Sequence, residues 1–258
     1  MVQALRIGSA DRLLEPAARP VEARARARVV LVTTAVLLAV MHYAIFLGEP
    51  LDAMTRAVVD LVPSLADTSL RPIIQKVVWA LGTVVFYLVL PAIVVRVVLR
   101  ERLRDHGLDF AGFFRHLPIY LALFVPVGLL VLAVASQPDF LETYPLYRSP
   151  RGVADLVVWE LVYGAQFLAL EFFFRGFLLH GTRPAIGNHA IWVMIVPYVM
   201  IHFSKPLYET IGAAVAGFVL GHLSLRTRSV AGGALLHWGV AMAMDLAALA
   251  QRPTFWSG

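Results

Sequence analysis

Residues 168–181 read LALEFFFRGFLLHG, an apolar run that carries Glu171 and Arg175 four positions apart. Four residues of α-helix bring two side chains onto one face, so the carboxylate and the guanidinium can pair instead of standing alone among apolar neighbours. Such a run belongs to a packed interior or to a lipid-embedded helix, and the rest of the chain decides between them.

Of the 258 residues, 59% are hydrophobic and 15% charged. The mean hydropathy is +0.75. Soluble domains carry about 25% charged residues, so this composition is that of a membrane protein. The apolar residues form blocks separated by short polar pieces, which specifies an all-α, polytopic transmembrane helical bundle of about seven membrane helices, some of them broken or lying at the surface. The gaps leave no space for a separate catalytic domain. The formal charge is +5. Its arginines sit beside the apolar blocks with no folded basic surface between them, so the charge reads as membrane orientation and not as a nucleic-acid site. The absence of cysteine excludes disulfides, thiolate metal ligands and a cysteine nucleophile.

The basic segment 1–28 lacks a cleavage pattern and reads as retained, with Leu13 and Leu14 suiting a short interfacial helix. Spans follow at about residues 29–47, 77–99 and 117–135 within an N-terminal membrane region, 29–152. Between them, the 48–76 connection holds Asp52, Asp60, Pro63 and Asp67 among apolar residues, and part of it reads as an amphipathic surface helix. PDFLETYPLYRSPRG, residues 138–152, reads as a loop. A long helix then runs from Val153 toward Leu179 and opens a core region, 153–249, whose later blocks 190–203, 211–223 and 230–249 include two that are short for a full span. Residues 250–258 form a tail. Gly217 and Gly221 make a GxxxG pair suited to close helix packing. The heavier share of Arg and Lys on the N-terminal side predicts a cytoplasmic N-terminus and an external C-terminus in a cytoplasmic (inner) membrane.

Two histidines in separate apolar blocks, His202 in PYVMIHFSKP and His237 in GGALLHWGVAMAMD, complete the candidate set with Glu171 and Arg175. A carboxylate and imidazoles converging around water can transfer protons and activate a carbonyl without a nucleophile from the chain. Taken singly, each histidine also suits an interior contact, and the Glu171–Arg175 pair suits a helix-orienting salt bridge. Simple alternation of spans puts Glu171 toward the cytoplasmic half and His202 near the external end, so convergence requires a break or tilt around SKP.

The ordered set EFFFR (Glu171–Arg175), YVMIH (Tyr198–His202) and LLHWG around His237 resembles the CAAX-protease and bacteriocin-processing family of intramembrane proteases, over the region from Val153 to Leu249. The resemblance implies a membrane-embedded helical core that hydrolyses peptide bonds near the membrane interface, with Glu171 and Arg175 in the first motif, His202 in the second and His237 in the third. Its members are often called metalloproteases, and a glutamate-activated water without metal is also proposed for them. Two positions depart from the pattern. Leu170 stands where the first motif often has an additional glutamate, and Ala241 where the third often has asparagine or aspartate.

Asp245, eight residues after His237, and Glu209, in KPLYE, are supporting candidates, the first to orient a histidine or cap a polar network, the second near the site or as a helix cap. His222 reads as a helix-end residue. Glu160, about three turns before Glu171, is too far along the axis for paired catalysis. The leading reading is an intramembrane or interfacial endopeptidase acting on a membrane-tethered, lipidated or sorting-tail peptide in the lipid bilayer, through glutamate- and histidine-activated water. No cofactor is assigned from the sequence. A zinc-centred variant stays open, although the chain has no HExxH and no secure set of three ligands. The alternatives are a transporter or channel with a buried polar pathway and a noncatalytic interaction or immunity protein on a protease-like scaffold.

Overall fold

The structure is a computed structural model that describes residues 20–65, 67–148 and 150–251. The proposed interfacial helix near Leu13 and Leu14 lies outside the described residues. All regular structure among the described residues is helical: α1 (Pro20–Phe46), α2 (Glu49–Leu61), α3 (Arg71–Val98), α4 (Phe113–Val134), α5 (Pro138–Thr143), α6 (Val153–Ile186), α7 (His189–Met200), α8 (Leu207–Thr227) and α9 (Ala231–Ala250). Six of these, α1, α3, α4, α6, α8 and α9, are long and apolar enough to cross a membrane. The chain is a polytopic helical membrane protein.

Long runs of Val, Leu and Ala make these helices, and the same side chains face outward where no partner covers them. Val125, Leu129, Leu130 and Leu132 of α4 are all more than half exposed, as lipid contact requires. In α3, Pro91 removes a ladder donor, and π-turns at Val85–Val89 and Val94–Val98 flank it on both sides. The polar connection after α1 does fold as a helix, α2, tied back to α3 where Gln75 donates to Asp52 at 2.5 Å.

The last third differs from its expected division. The 211–223 block extends to a full-length helix, α8, so α7 alone is short, and six long helices together with α7 agree with the expected count of about seven. Twelve residues give α7 a length of only about 18 Å, against a hydrocarbon layer of about 30 Å. It therefore ends partway along the bundle. Gly217 and Gly221 lie against Ile195, Tyr198, Met194 and Ile191, so the small residues of α8 let α7 pack closely, as the GxxxG spacing suggests.

The axis of the bundle is α6. Its central stretch Phe172–Leu178 is a π-helix in which Phe172, Phe173, Phe174, Arg175 and Phe177 have no exposed surface. These rings fill a core with Val30 and Met41 of α1, Tyr87 of α3 and Met194 and Tyr198 of α7. Connections gather at two ends. At the Tyr144 end lie the segments around 47–70 and 135–152, and the 201–206 segment reaches Tyr144 from where α7 stops, Lys205 Nζ donating to its hydroxyl at 3.1 Å. At the His106 end lie 99–112 and 228–230, joined where Val230 N–H donates to the Gly107 carbonyl at 2.9 Å.

Candidate active site

Glu171 occupies the last α-helical turn before the π-segment of α6, and one of its oxygens receives two neighbours. Arg175 Nη1 lies 3.1 Å from Oε1, and His237 Nδ1, on α9, lies 3.0 Å from the same atom. An ionised carboxylate only accepts, so His237 Nδ1–H donates and Nε2 is directed away from the pair. Glu171 is 1% exposed and Arg175 fully buried, whereas the His237 side chain retains 18% exposure. The group facing open space is thus the imidazole. Glu171 Oε2 lies beside Gly233, where an added Cβ would stand 3.0 Å from it.

Tyr198 organises the other side. Its ring stacks on the Arg175 guanidinium at 3.7 Å and lies 4.8 Å from the His202 ring and 6.3 Å from the His237 ring, centroid to centroid. The shortness of α7 makes this arrangement reachable. Since the helix stops partway, His202 at its end falls beside Tyr198, and the separation expected from simple alternation does not arise. His202 Nδ1–H donates to the Tyr198 carbonyl at 2.8 Å, which leaves Nε2 as the lone-pair nitrogen of the neutral ring. Burial pushes the His202 imidazole down to about 4, outweighing the hydrogen bond to Tyr198, and the charges of His237, Arg175 and Lys205 act in the same downward direction. Among the described residues no hydrogen bond joins His202 to Glu171 or His237. Glu171, Arg175 and His237 meet directly, and His202 joins them through Tyr198.

Tyr198 and Gly233 escaped the sequence reading. The tyrosine had a signal, since it precedes His202 by four residues and so shares its helix face. The glycine had none, because its importance arises from a carboxylate 62 positions away in the chain.

Behind Arg175, its carbonyl accepts a hydrogen bond from Ser224 Oγ at 3.2 Å, and Ser224 lies 3.1 Å from His180 Nε2. The serine proton is committed to the carbonyl, so the histidine nitrogen donates to the serine. This pair braces the π-segment and is not a nucleophile with its base.

The supporting candidates lie elsewhere. The Asp245 carboxylate accepts Leu146 N–H and Trp159 Nε1–H, each at 2.9 Å, and ties the 135–152 connection to α6 and α9. Glu209 accepts the Tyr144 hydroxyl at 2.7 Å and 2.8 Å at the Tyr144 end. His222 bonds the Phe218 carbonyl on its own helix, and Glu160 meets Trp238 Nε1 at 3.4 Å. Leu170 and Ala241 are buried in apolar clusters.

For zinc the donor set does not fit. Glu171 Oε1 already receives two nitrogen groups, His237 turns its Nδ1–H toward that oxygen, and among the described residues no three His, Asp or Glu side chains form a group able to hold a metal ion. The expected metalloprotease character has no support in these side chains.

No curated protein and no solved structure matches the chain. Residues 152–243 match the family described as Type II CAAX prenyl endopeptidase Rce1-like, a stretch that contains the whole Glu171–Arg175–His202–His237 constellation. This region of the chain is an Rce1-like CAAX protease family domain.

Proposed function

We propose that the protein is an intramembrane endopeptidase that hydrolyses a peptide bond in a membrane-tethered substrate, with water activated by the Glu171–His237 couple. The observation that carries this reading is the 3.0 Å contact between a buried carboxylate and a partly exposed imidazole, inside the region that matches the protease family. A carboxylate that holds Nδ1–H of a histidine fixes its tautomer and stabilises the imidazolium, leaving Nε2 to take a proton.

In this mechanism water attacks the substrate carbonyl carbon while its proton passes to His237 Nε2. The new C–O bond gives a tetrahedral oxyanion. On collapse the C–N bond breaks, and His237 returns the proton to the leaving amine. Glu171 remains ionised throughout, its charge balanced by Arg175, which Tyr198 holds from the far face. His202 receives a hydrogen bond from the water at Nε2, since a neutral ring whose Nδ1–H is already committed has no proton for the oxyanion. The substrate is a lipidated or sorting-tail peptide. The end of the bundle bearing Arg24, Arg28, Arg102, Arg104, Arg183 and Arg226 faces the cytoplasm, with the N-terminus on that side.

The test is cleavage of membrane-tethered peptides by the reconstituted protein and by folded Glu171→Gln, His237→Ala and His202→Ala variants. Losses of about 100-fold or more are expected for the first two, the scale of general acid–base catalysis. Unchanged rates would remove the assignment. The buried apolar residues at positions 170 and 241 favour one second reading, a noncatalytic peptide-binding protein on the same scaffold. Saturable peptide binding without cleavage in the unmodified protein distinguishes it.

A further inference from the structure

The helices that bracket Glu171, α8 and α9, are joined by a short connection at the His106 end, and near it Leu220 and Leu223 pack in one cluster with Leu236. Beyond that point they take different partners. Residues Ala213, Gly217 and Gly221 of α8 face α7 and the central core, while Ala241, Met244 and Ala247 of α9 pack in clusters with residues of α6, α4 and the 135–147 segment. The two helices thus meet at one end and part in their packing toward the other.

One residue links the two where they part. Tyr144 is anchored on the α9 side, where Phe140 and Tyr144 pack with Met244, Ala247 and Ala248, and Leu146 N–H bonds Asp245 two residues further on. Its hydroxyl crosses to the α8 side, donating to Glu209 at 2.7 Å and accepting from Lys205 Nζ at 3.1 Å. The ammonium also lies 4.5 Å from the centroid of the Tyr144 ring. Burial keeps this phenol well above its usual range, with the Glu209 charge adding to the shift, so it stays a donor across the physiological range. The receiving segment is the one that follows His202, and Thr210 Oγ1 bonds the His202 carbonyl at 2.8 Å. Contacts made at Lys205 and Glu209 therefore bear on the histidine end of the site.

We propose that Tyr144, held by Glu209 and Lys205, is a strap across a mouth between α8 and α9, and that it must release before a peptide reaches His237 from the Tyr144 end. The proposal rests on the endopeptidase reading for the identity of what enters, but the strap itself is a matter of access. The entering chain is an extended polypeptide. Once the strap is displaced it meets Lys205 and Glu209, which can take up its main-chain carbonyl and amide groups.

Two measurements on the full chain in nanodiscs test it. The protein has no cysteine, so His237→Cys gives a single reporter thiol in the site. Its modification by a bulky, charged thiol reagent is compared with the strap intact and with Tyr144→Phe or Glu209→Gln. Loss of a hydrogen bond to a charged group raises the open population by about tenfold or more, and the modification rate is expected to rise by the same factor. Equal rates in all three proteins overturn the strap, whether or not the protein cleaves peptides. The second measurement keeps His237 and joins Tyr144→Cys to Glu209→Cys with a reducible bis-thiosulfonate reagent long enough to replace the tyrosyl side chain. Cross-linking is expected to lower cleavage at least tenfold, with recovery on reduction. A cross-linked protein as active as its reduced form refutes the proposal, whereas absence of cleavage in the unmodified protein counts against the endopeptidase reading and leaves the thiol measurement to decide the strap.

Discussion

Replacing Arg175 by methionine tests the energetics of the site most directly. The substitution keeps the volume near the Tyr198 ring but removes the guanidinium 3.1 Å from Glu171 Oε1, with both side chains at 1% exposure or less. At an effective dielectric of about 20, unit charges at that separation attract by about 5 kcal/mol. Desolvation of the pair consumes much of this, so the intact pair adds little net stability. Breaking it is different, because the remaining charge stays buried without compensation, at a cost of about 3–5 kcal/mol. Loss of the guanidinium–ring stack at 3.7 Å adds about 1 kcal/mol. Glu171→Gln alone strands the guanidinium and costs a similar amount. The double variant Glu171→Gln/Arg175→Met strands neither charge, so its destabilisation should fall well short of the sum of the single effects, with a coupling energy of about 3 kcal/mol. Equilibrium unfolding in mixed micelles supplies the four stabilities of the cycle. Single effects that add to within about 0.5 kcal/mol would show that the two charges do not sense each other, and the electrostatic argument for the site would fail.

Gly233→Ala places a Cβ 3.0 Å from Glu171 Oε2, which displaces the carboxylate by a few tenths of an ångström; cleavage should fall about tenfold or more with little change in thermal stability, because positioning errors of this kind act on rate. Gly176→Ala meets the His106 carbonyl at 2.5 Å and the Phe172 ring at 2.8 Å, so it should destabilise the fold by about 1–3 kcal/mol or more, read by unfolding in detergent. The His202 imidazole, held at about 4 against its ordinary 6.5, binds its proton later in the folded than in the unfolded state. Its contribution is complete above pH 6.5 and is lost as pH falls to about 4, by at most about 3 kcal/mol; His202→Gln should flatten the stability profile across that window, and an unchanged slope would contradict the assignment. Asp245→Ala leaves Trp159 Nε1–H and Leu146 N–H without their acceptor; it should cost about 2–4 kcal/mol of stability, and any loss of cleavage should track the unfolded fraction.

Much of the fold was legible because hydrocarbon imposes length and composition on any helix that crosses it. The spans expected at 29–47, 77–99 and 117–135 correspond to α1, α3 and α4, displaced mainly where basic or polar residues extend a helix beyond the apolar block, as in the first turns of α1. The Glu171–Arg175 pair was legible for a local reason, four residues on one helix. What stayed hidden involves faces and distances between helices. In a helix apolar all round no periodicity marks the inward side, so the meeting of Glu171 with His237, 66 positions later, had no local trace. Asp245 illustrates the same gap: its spacing from His237 suggested a shared face, while its true partners, Trp159 and Leu146, come from other parts of the chain. The π-turns of α6 were equally silent, since no residue type requires them.

Those wide turns carry a consequence for the whole length of α6. Its first half seats Gly164 under the Trp238 indole, and its second half seats Gly181 against Val30. Each contact tolerates only a hydrogen at that position, so both halves are keyed to their neighbours, and the π-segment between them absorbs the phase difference. Shortening Phe172–Leu178 by one residue would turn one half by about 100° relative to the other, and only one of the two glycine seats could then be filled.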